Sequence, residues 1–228
     1  LWSRGLGDVY KRQVFNSTLY IAAQSTTAIN IVMLQSAMPV LIVLASFAMF
    51  GERVRAAQAV GIAVSLTGAL TLVAQGDVAV LSQLDFNRGD LWMMAGIVSY
   101  SVYTALLRKR PAVHGLSFAA ATFVIGATLL FPMYLGETLA GRPLPLNATS
   151  AMAIGYVAVF ASVLAYLSYN RAVALLGANT AGMSVHLVPA FGTVLAILLL
   201  GERPHAFHAV GIALIATGIW LAQRKRAA

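Results

Sequence analysis

The chain has 228 residues, 60% of them hydrophobic and only 10% charged, with a mean hydropathy of +0.82. A soluble domain carries about 25% charged residues, so a water-soluble enzyme or binding module is excluded. The net charge of +8 gathers in short Lys/Arg clusters at the ends of apolar runs, which orients a membrane protein and speaks against a nucleic-acid partner.

Residues 1–13 are polar and aperiodic. The run Asp8-Val9-Tyr10-Lys11-Arg12-Gln13 resembles a translated library-adapter sequence, so the native reading is expected to begin near Val14, with further native sequence before it. Apolar segments follow at about 14–25, 27–50, 56–75, 90–108, 116–138, 150–170, 178–200 and 206–223. A bilayer-spanning helix needs roughly 20 apolar residues; the first segment is therefore a partial span and the other seven are full ones. Connections are short. The longer ones, 76–89 and 139–149, are rich in Gly, Pro, Asn and Asp, as loops are. The expected organisation is 14–75 as the end of one repeat, 76–89 as a linking loop, 90–223 as a second repeat of five helices, and 224–228 as a basic tail.

Loops along such a chain alternate sides. One side collects Arg53, Arg55, Arg108, Lys109, Arg110, Arg171, Arg224, Lys225 and Arg226; the other holds Arg88, Arg142 and Arg203. The cation-rich side faces the cytoplasm, which places the C-terminus inside.

A repeat runs through this pattern. Pro39–Gly68 and Pro189–Gly218, offset by 150 residues, are identical at 12 of 30 positions without a gap, including Gly-Glu-Arg at 51–53 and 201–203 and Val-Gly-Ile-Ala at 60–63 and 210–213. Five spans separate the two Gly-Glu-Arg turns, an odd number, so the copies must be inverted relative to one another. The fold class read from the chain is thus an all-α polytopic membrane bundle of two inverted repeats.

The doubled pattern of Pro, apolar run, Gly-Glu-Arg, then Ala-x-x-x-Gly-Ile-Ala and a later Gly resembles the EamA-type branch of the drug/metabolite transporter superfamily. Ser25–Ala28, Leu34–Pro39 and Leu176–Asn179 add to the likeness, which runs from Val14 to the C-terminus. The resemblance implies ten helices in two inverted five-helix halves, no cofactor, residence in the bacterial inner membrane, and export of amino acids, other metabolites or toxic compounds. Against that pattern the chain lacks the first two helices and part of the third. An importer or exchanger of the same fold, or a membrane scaffold that transports nothing, stands as the alternative.

Several residues are candidates for the work. His186, an ionisable group within span 178–200, is expected to contact substrate or sense protons. Gln35, Ser36, Tyr100, Tyr103, Tyr166, Tyr169 and Asn170 can line the same cavity, with Tyr166, Tyr169 and Asn170 on one helix face by spacing. Pro39 and Pro189 remove a backbone donor within their spans and can act as hinges. Glu52 with Arg53, and Glu202 with Arg203, can pair within their turns as clamps or gates. Gly61 and Gly68, like Gly211 and Gly218, lie seven apart on one helix face and suit close packing in lipid or a homodimer contact. No carboxylate lies deep in a span, and no phosphate-binding Gly-rich loop, hydrolase motif or metal-ligand set is present.

Overall fold

The computed structural model describes residues 15–77, 79–80, 87–109, 115–141, 144–145, 147–201 and 203–223. The adapter-like segment 1–13, part of loop 76–89, Arg110, Arg142, Glu202 and the basic tail 224–228 lie outside them. Among the described residues, eight helices carry the fold: α1 (15–23), α2 (Ala28–Phe50), α3 (Ala56–Val73), α4 (Arg88–Lys109), α5 (Gly115–Leu139), α6 (Ala148–Leu176), α7 (Ala178–Leu200) and α8 (Ala206–Gln223). All but α1 are long and apolar enough to cross a membrane, and no strand occurs among the described residues. The all-α polytopic reading holds.

Local chemistry sets the helix ends. Thr27, Asn87 and Asn147 turn their side-chain oxygens onto the amides of the first turns of α2, α4 and α6, satisfying donors that have no intrahelical partner. Asp90 completes a capping box on α4, which is why that helix starts at Arg88, before the apolar run. At the other end of α2 and α7 the chain stops at Gly51 and Gly201, with φ of 65° and 70°. Both are the left-handed cap that glycine takes without a Cβ clash, as the doubled Gly-Glu-Arg turn requires.

Both prolines coincide with irregular stretches of their helices. α2 is interrupted at Ala37, one residue before the segment Met38–Phe50 that carries Pro39 in its first turn. In α7 a 3₁₀ stretch, Met183–His186, precedes Pro189. Proline offers no N–H to the carbonyl one turn back, so each helix tightens just before it. α6 departs from the simple span: Val157–Leu164 forms a π-helix, and the helix runs on to Leu176.

The glycine stripes meet within the chain. A Cβ built on Gly61 would collide with the Gly218 carbonyl oxygen, and one on Gly68 would stand 2.6 Å from that of Gly211. As residue numbers rise along α3 they fall along α8, so the two helices are antiparallel. Half a turn that exchanges each residue with its counterpart 150 positions along maps the Gly61–Gly218 contact onto Gly211–Gly68. The repeats are thus related by a pseudo-two-fold axis perpendicular to their helices, the geometry of inverted copies. The face offered to a second copy by the sequence is covered here by α8, so a homodimer would need another surface.

The outer faces of α5, α6 and α7 are apolar and open, as at Phe131, Phe160 and Leu198. Lipid is the medium that makes such exposure cheap, and the chain is a multi-pass membrane protein.

Candidate functional site

A cavity of about 340 Å³ opens between α1, α2, α4, α6 and α7, within the ~300–1,000 Å³ common to small-molecule sites. Its lining falls largely into counterpart pairs under the 150-residue offset: Phe15 with Ala165, Asn16 with Tyr166, Gln35 with Val185, and Met38 with Val188. The cavity therefore sits on the pseudo-two-fold axis, between the halves. Tyr100, Ala161 and Tyr169 complete it. Ala161 lies in the π-helical stretch, whose wider turns are frequent at functional sites.

Four sequence-predicted residues line this space: Gln35, Tyr100, Tyr166 and Tyr169. The tyrosine rings form a wall. Tyr100 lies 5.0 Å from Phe15, 5.6 Å from Tyr169 and 5.8 Å from Tyr103 between ring centroids, the range in which aromatic pairs attract. Tyr166 packs edge-on against Phe123 at 6.3 Å.

Four others do not line it. Tyr103 donates from its hydroxyl to Asn170 Oδ1 at 3.0 Å, both side chains buried, so this pair ties α4 to α6. The spacing that put Asn170 beside Tyr166 and Tyr169 was right in angle, but Asn170 lies at the margin of that face and turns to α4. Ser36 folds its hydroxyl back onto the Val32 carbonyl at 2.9 Å. His186 has 0% exposure and stands between helices: Nε2 is 2.9 Å from the Ser36 carbonyl oxygen and Nδ1 is 2.7 Å from Ser65 Oγ. A carbonyl can only accept, so Nε2 donates; the single Ser65 hydroxyl proton is shared between Nδ1 and the Ile62 carbonyl oxygen 3.1 Å away. His186 thus ties α7 to both α2 and α3 and does not line the cavity. Ser36 and His186 are themselves counterparts, so this bond lies on the axis.

The turn residues also pair differently from expectation. Glu52 bonds Arg108 of α4 at 3.1 Å, not Arg53, because the αL cap carries residue 52 toward the end of α4. Phe50 supports that end, with the Lys109 ammonium 4.8 Å above its ring. Arg55 reaches the Ala222 carbonyl at 3.5 Å. The end of α2, the start of α3 and the ends of α4 and α8 therefore gather at one face, with Arg55, Arg108 and Lys109 among them. Arg203 is exposed. At the opposite face Asp90 is buried and accepts from Thr26 Oγ1 at 2.6 Å and the Asn87 amide at 2.8 Å, tying the α1–α2 turn to α4. No cluster of metal ligands occurs among the described residues.

Sequence reasoning missed Asn16 in particular. It lay in a run read only as a partial span. The signal that finds it is the offset: Asn16 is the counterpart of Tyr166, a residue already suspected.

Comparison with known proteins agrees with this architecture. The sequence profile of the EamA-like transporter family matches residues 13–74 and 87–223. Transporter YyaM of Bacillus subtilis, described as uncharacterized, is 26% identical over 209 residues, covering 90% of this chain and 67% of its own. A probable terminal-alkyne amino-acid exporter of Streptantibioticus cattleyicolor is 29% identical over 187 residues, covering 82% of this chain and 61% of its own. A probable amino-acid metabolite efflux pump of Escherichia coli is 28% identical over 183 residues, covering 75% and 59%. The chain thus spans about three fifths to two thirds of the length of these relatives. A crystal structure with 20% identity matches at a TM-score of 0.78, covering 97% of this chain and 76% of that one, a likeness of fold. With both of its repeats matched in order, the chain belongs to the EamA-like transporter family and is a membrane transporter.

Proposed function

We propose that the chain forms the cavity-bearing part of a secondary transporter that exports small metabolites across the bacterial inner membrane by alternating access, with its C-terminus in the cytoplasm. One observation carries the reading: the cavity lies on the pseudo-two-fold axis relating two antiparallel copies. A site on such an axis faces equivalent elements toward each side of the membrane, so rocking one half against the other exposes it to each side in turn.

Tyr100, Tyr166, Tyr169 and Gln35 contact the substrate. Pro39 and Pro189 weaken α2 and α7 beside the cavity, where the halves bend. The Glu52–Arg108 pair closes the cytoplasmic ends of α2 and α4. Outward direction rests on the relatives described as an exporter and an efflux pump. The orientation rests on the gathering of Arg55, Arg108 and Lys109 at one face. No cofactor or nucleic acid enters this scheme.

The test is flux. Proteoliposomes holding the purified chain should release a panel of preloaded radiolabelled amino acids, at least one of them saturably, and Tyr100→Ala should lower that rate by tenfold or more. Saturable movement only inward supports an importer, and no saturable movement of any member supports a scaffold.

A further inference from the structure

The cavity's polar groups divide into two kinds. The Tyr169 hydroxyl is bonded to Thr104 Oγ1 at 3.1 Å, and Tyr100 is flanked by three rings. The aromatic side of the cavity therefore offers mostly flat apolar surface. Asn16 and Gln35 are different. Both are half-buried and line the cavity, and neither side chain has a hydrogen-bond partner among the described residues. Each presents an acceptor oxygen and a two-proton donor. Both face an open cavity, so these carboxamides are available to bond a ligand that enters it.

We propose that Asn16 and Gln35 are the specificity-determining residues of this transporter. They hold the polar head of a small amphipathic substrate of zero net charge, while Tyr100, Tyr166 and Tyr169 hold its apolar or aromatic body. The proposal deepens the transporter reading and rests on the same cavity. Two physical points select the substrate class. A pair of carboxamides matches a head bearing both donors and acceptors, as an uncharged amide or a zwitterion does. Among the described residues no Asp, Glu, Lys or Arg lines the cavity, so on this lining a head with net charge would stand uncompensated, at considerable cost.

The pseudo-symmetry adds an orientation. The counterparts of Asn16 and Gln35 are Tyr166 and Val185, so the shape of the cavity repeats across the axis while its chemistry does not. The head faces α1 and α2 of the first half, and the body faces α4 and α6 of the second. A substrate held this way keeps one orientation toward the two halves throughout the cycle.

The experiment is direct binding to the purified full chain in nanodiscs, using three probes that share a phenyl body and differ in head: L-phenylalanine (zwitterion), phenylethylamine (monocation) and phenylacetate (monoanion). Wild type should bind L-phenylalanine most tightly. Asn16→Leu with Gln35→Leu should weaken that probe about tenfold, the worth of two ordinary hydrogen bonds, and Gln35→Glu should move the preference to phenylethylamine. Tyr100→Leu should weaken all three probes alike, and unchanged unfolding midpoints certify that each variant folds. Wild type binding none of the probes or preferring a charged one, undiminished affinity in the double Leu variant, or an unaltered order in Gln35→Glu would each overturn the proposal. Because binding is read without a gradient, these outcomes are separate from whether the chain moves solute.

Discussion

The seam between α3 and α8 makes a sharp prediction. A Cβ on Gly68 would stand 2.6 Å from the Gly211 carbonyl oxygen and 2.8 Å from the Ile215 amide, where ordinary contact begins at 3.4 Å. Both obstacles are backbone, so neither can rotate away, and Gly68→Ala must push the helices apart by roughly 0.8 Å. Overpacking of this kind costs about 1–3 kcal/mol. Alanine also favours helix over glycine by about 1 kcal/mol, and that gain must be separated out. Gly155, on α6, provides the control: a Cβ there meets nothing within 4 Å. The propensity gain is common to both substitutions, so the difference between Gly68→Ala and Gly155→Ala isolates the packing cost, about 1–3 kcal/mol. Reversible unfolding in mixed micelles, followed by fluorescence of Trp220 on α8, measures it. Because Gly68 and Gly211 face one another, the double alanine variant should lose less than the sum of the singles, the first substitution having already opened the space. If Gly68→Ala is as benign as Gly155→Ala, the helices are not in backbone contact and the reasoning fails.

Three further outcomes follow from the site. His186→Leu leaves the buried Ser36 carbonyl without its donor and should cost about 1–3 kcal/mol in the same assay, while His186→Gln, whose amide can donate and accept, should stay within about 1 kcal/mol of wild type; equal losses would show that the two hydrogen bonds do not set the stability. Glu52→Gln should change stability by less than about 1 kcal/mol, since both partners of the ion pair are open to solvent. It should nonetheless speed labelling of a cysteine placed in the cavity at Met38 from the cytoplasmic side, and an unchanged rate would remove the closing role. Topology reporters placed after Arg55 and after His205 should report opposite sides of the membrane; a shared side would contradict inverted repeats.

Much of the fold was legible because each span declares itself by length and apolarity alone, and because the Gly-Glu-Arg turns demand a left-handed cap that only one residue fills cheaply. The glycine stripes were legible as packing faces, but their partner was not. A seven-residue spacing says that a helix can be approached closely, not by which helix, and the structure answers with the stripe's own repeat. The site was less legible, for a geometric reason. Tyr166, Tyr169 and Asn170 share a face broad enough to serve both the cavity and a neighbouring helix, and only the position of Tyr103 decides that Asn170 serves the helix. His186 looked functional because an ionisable group in lipid is costly, yet the cost is met by a carbonyl and a hydroxyl that no side-chain pattern reveals. Asn16 escaped because the repeat is visible as identity only over Pro39–Gly68. The pairs Asn16 with Tyr166 and Gln35 with Val185 share position and not residue type.

That last distinction bears on how the two halves can move. Under alternating access with inverted repeats, each half takes in one state the shape its partner has in the other. Contacts that the pseudo-two-fold axis maps onto themselves or onto one another then survive the exchange. The Gly61–Gly218 and Gly68–Gly211 contacts map onto each other, so these form the fulcrum, whereas the bond from the His186 ring to the Ser36 carbonyl joins counterpart positions through unlike atoms. The Glu52–Arg108 pair behaves otherwise. It joins two solvent-open side chains 3.1 Å apart at one end of the bundle, away from the α3–α8 seam. If the halves rock as proposed, the close-packed seam is the contact that persists, and the solvent-exposed ion pair is weak enough to break and re-form.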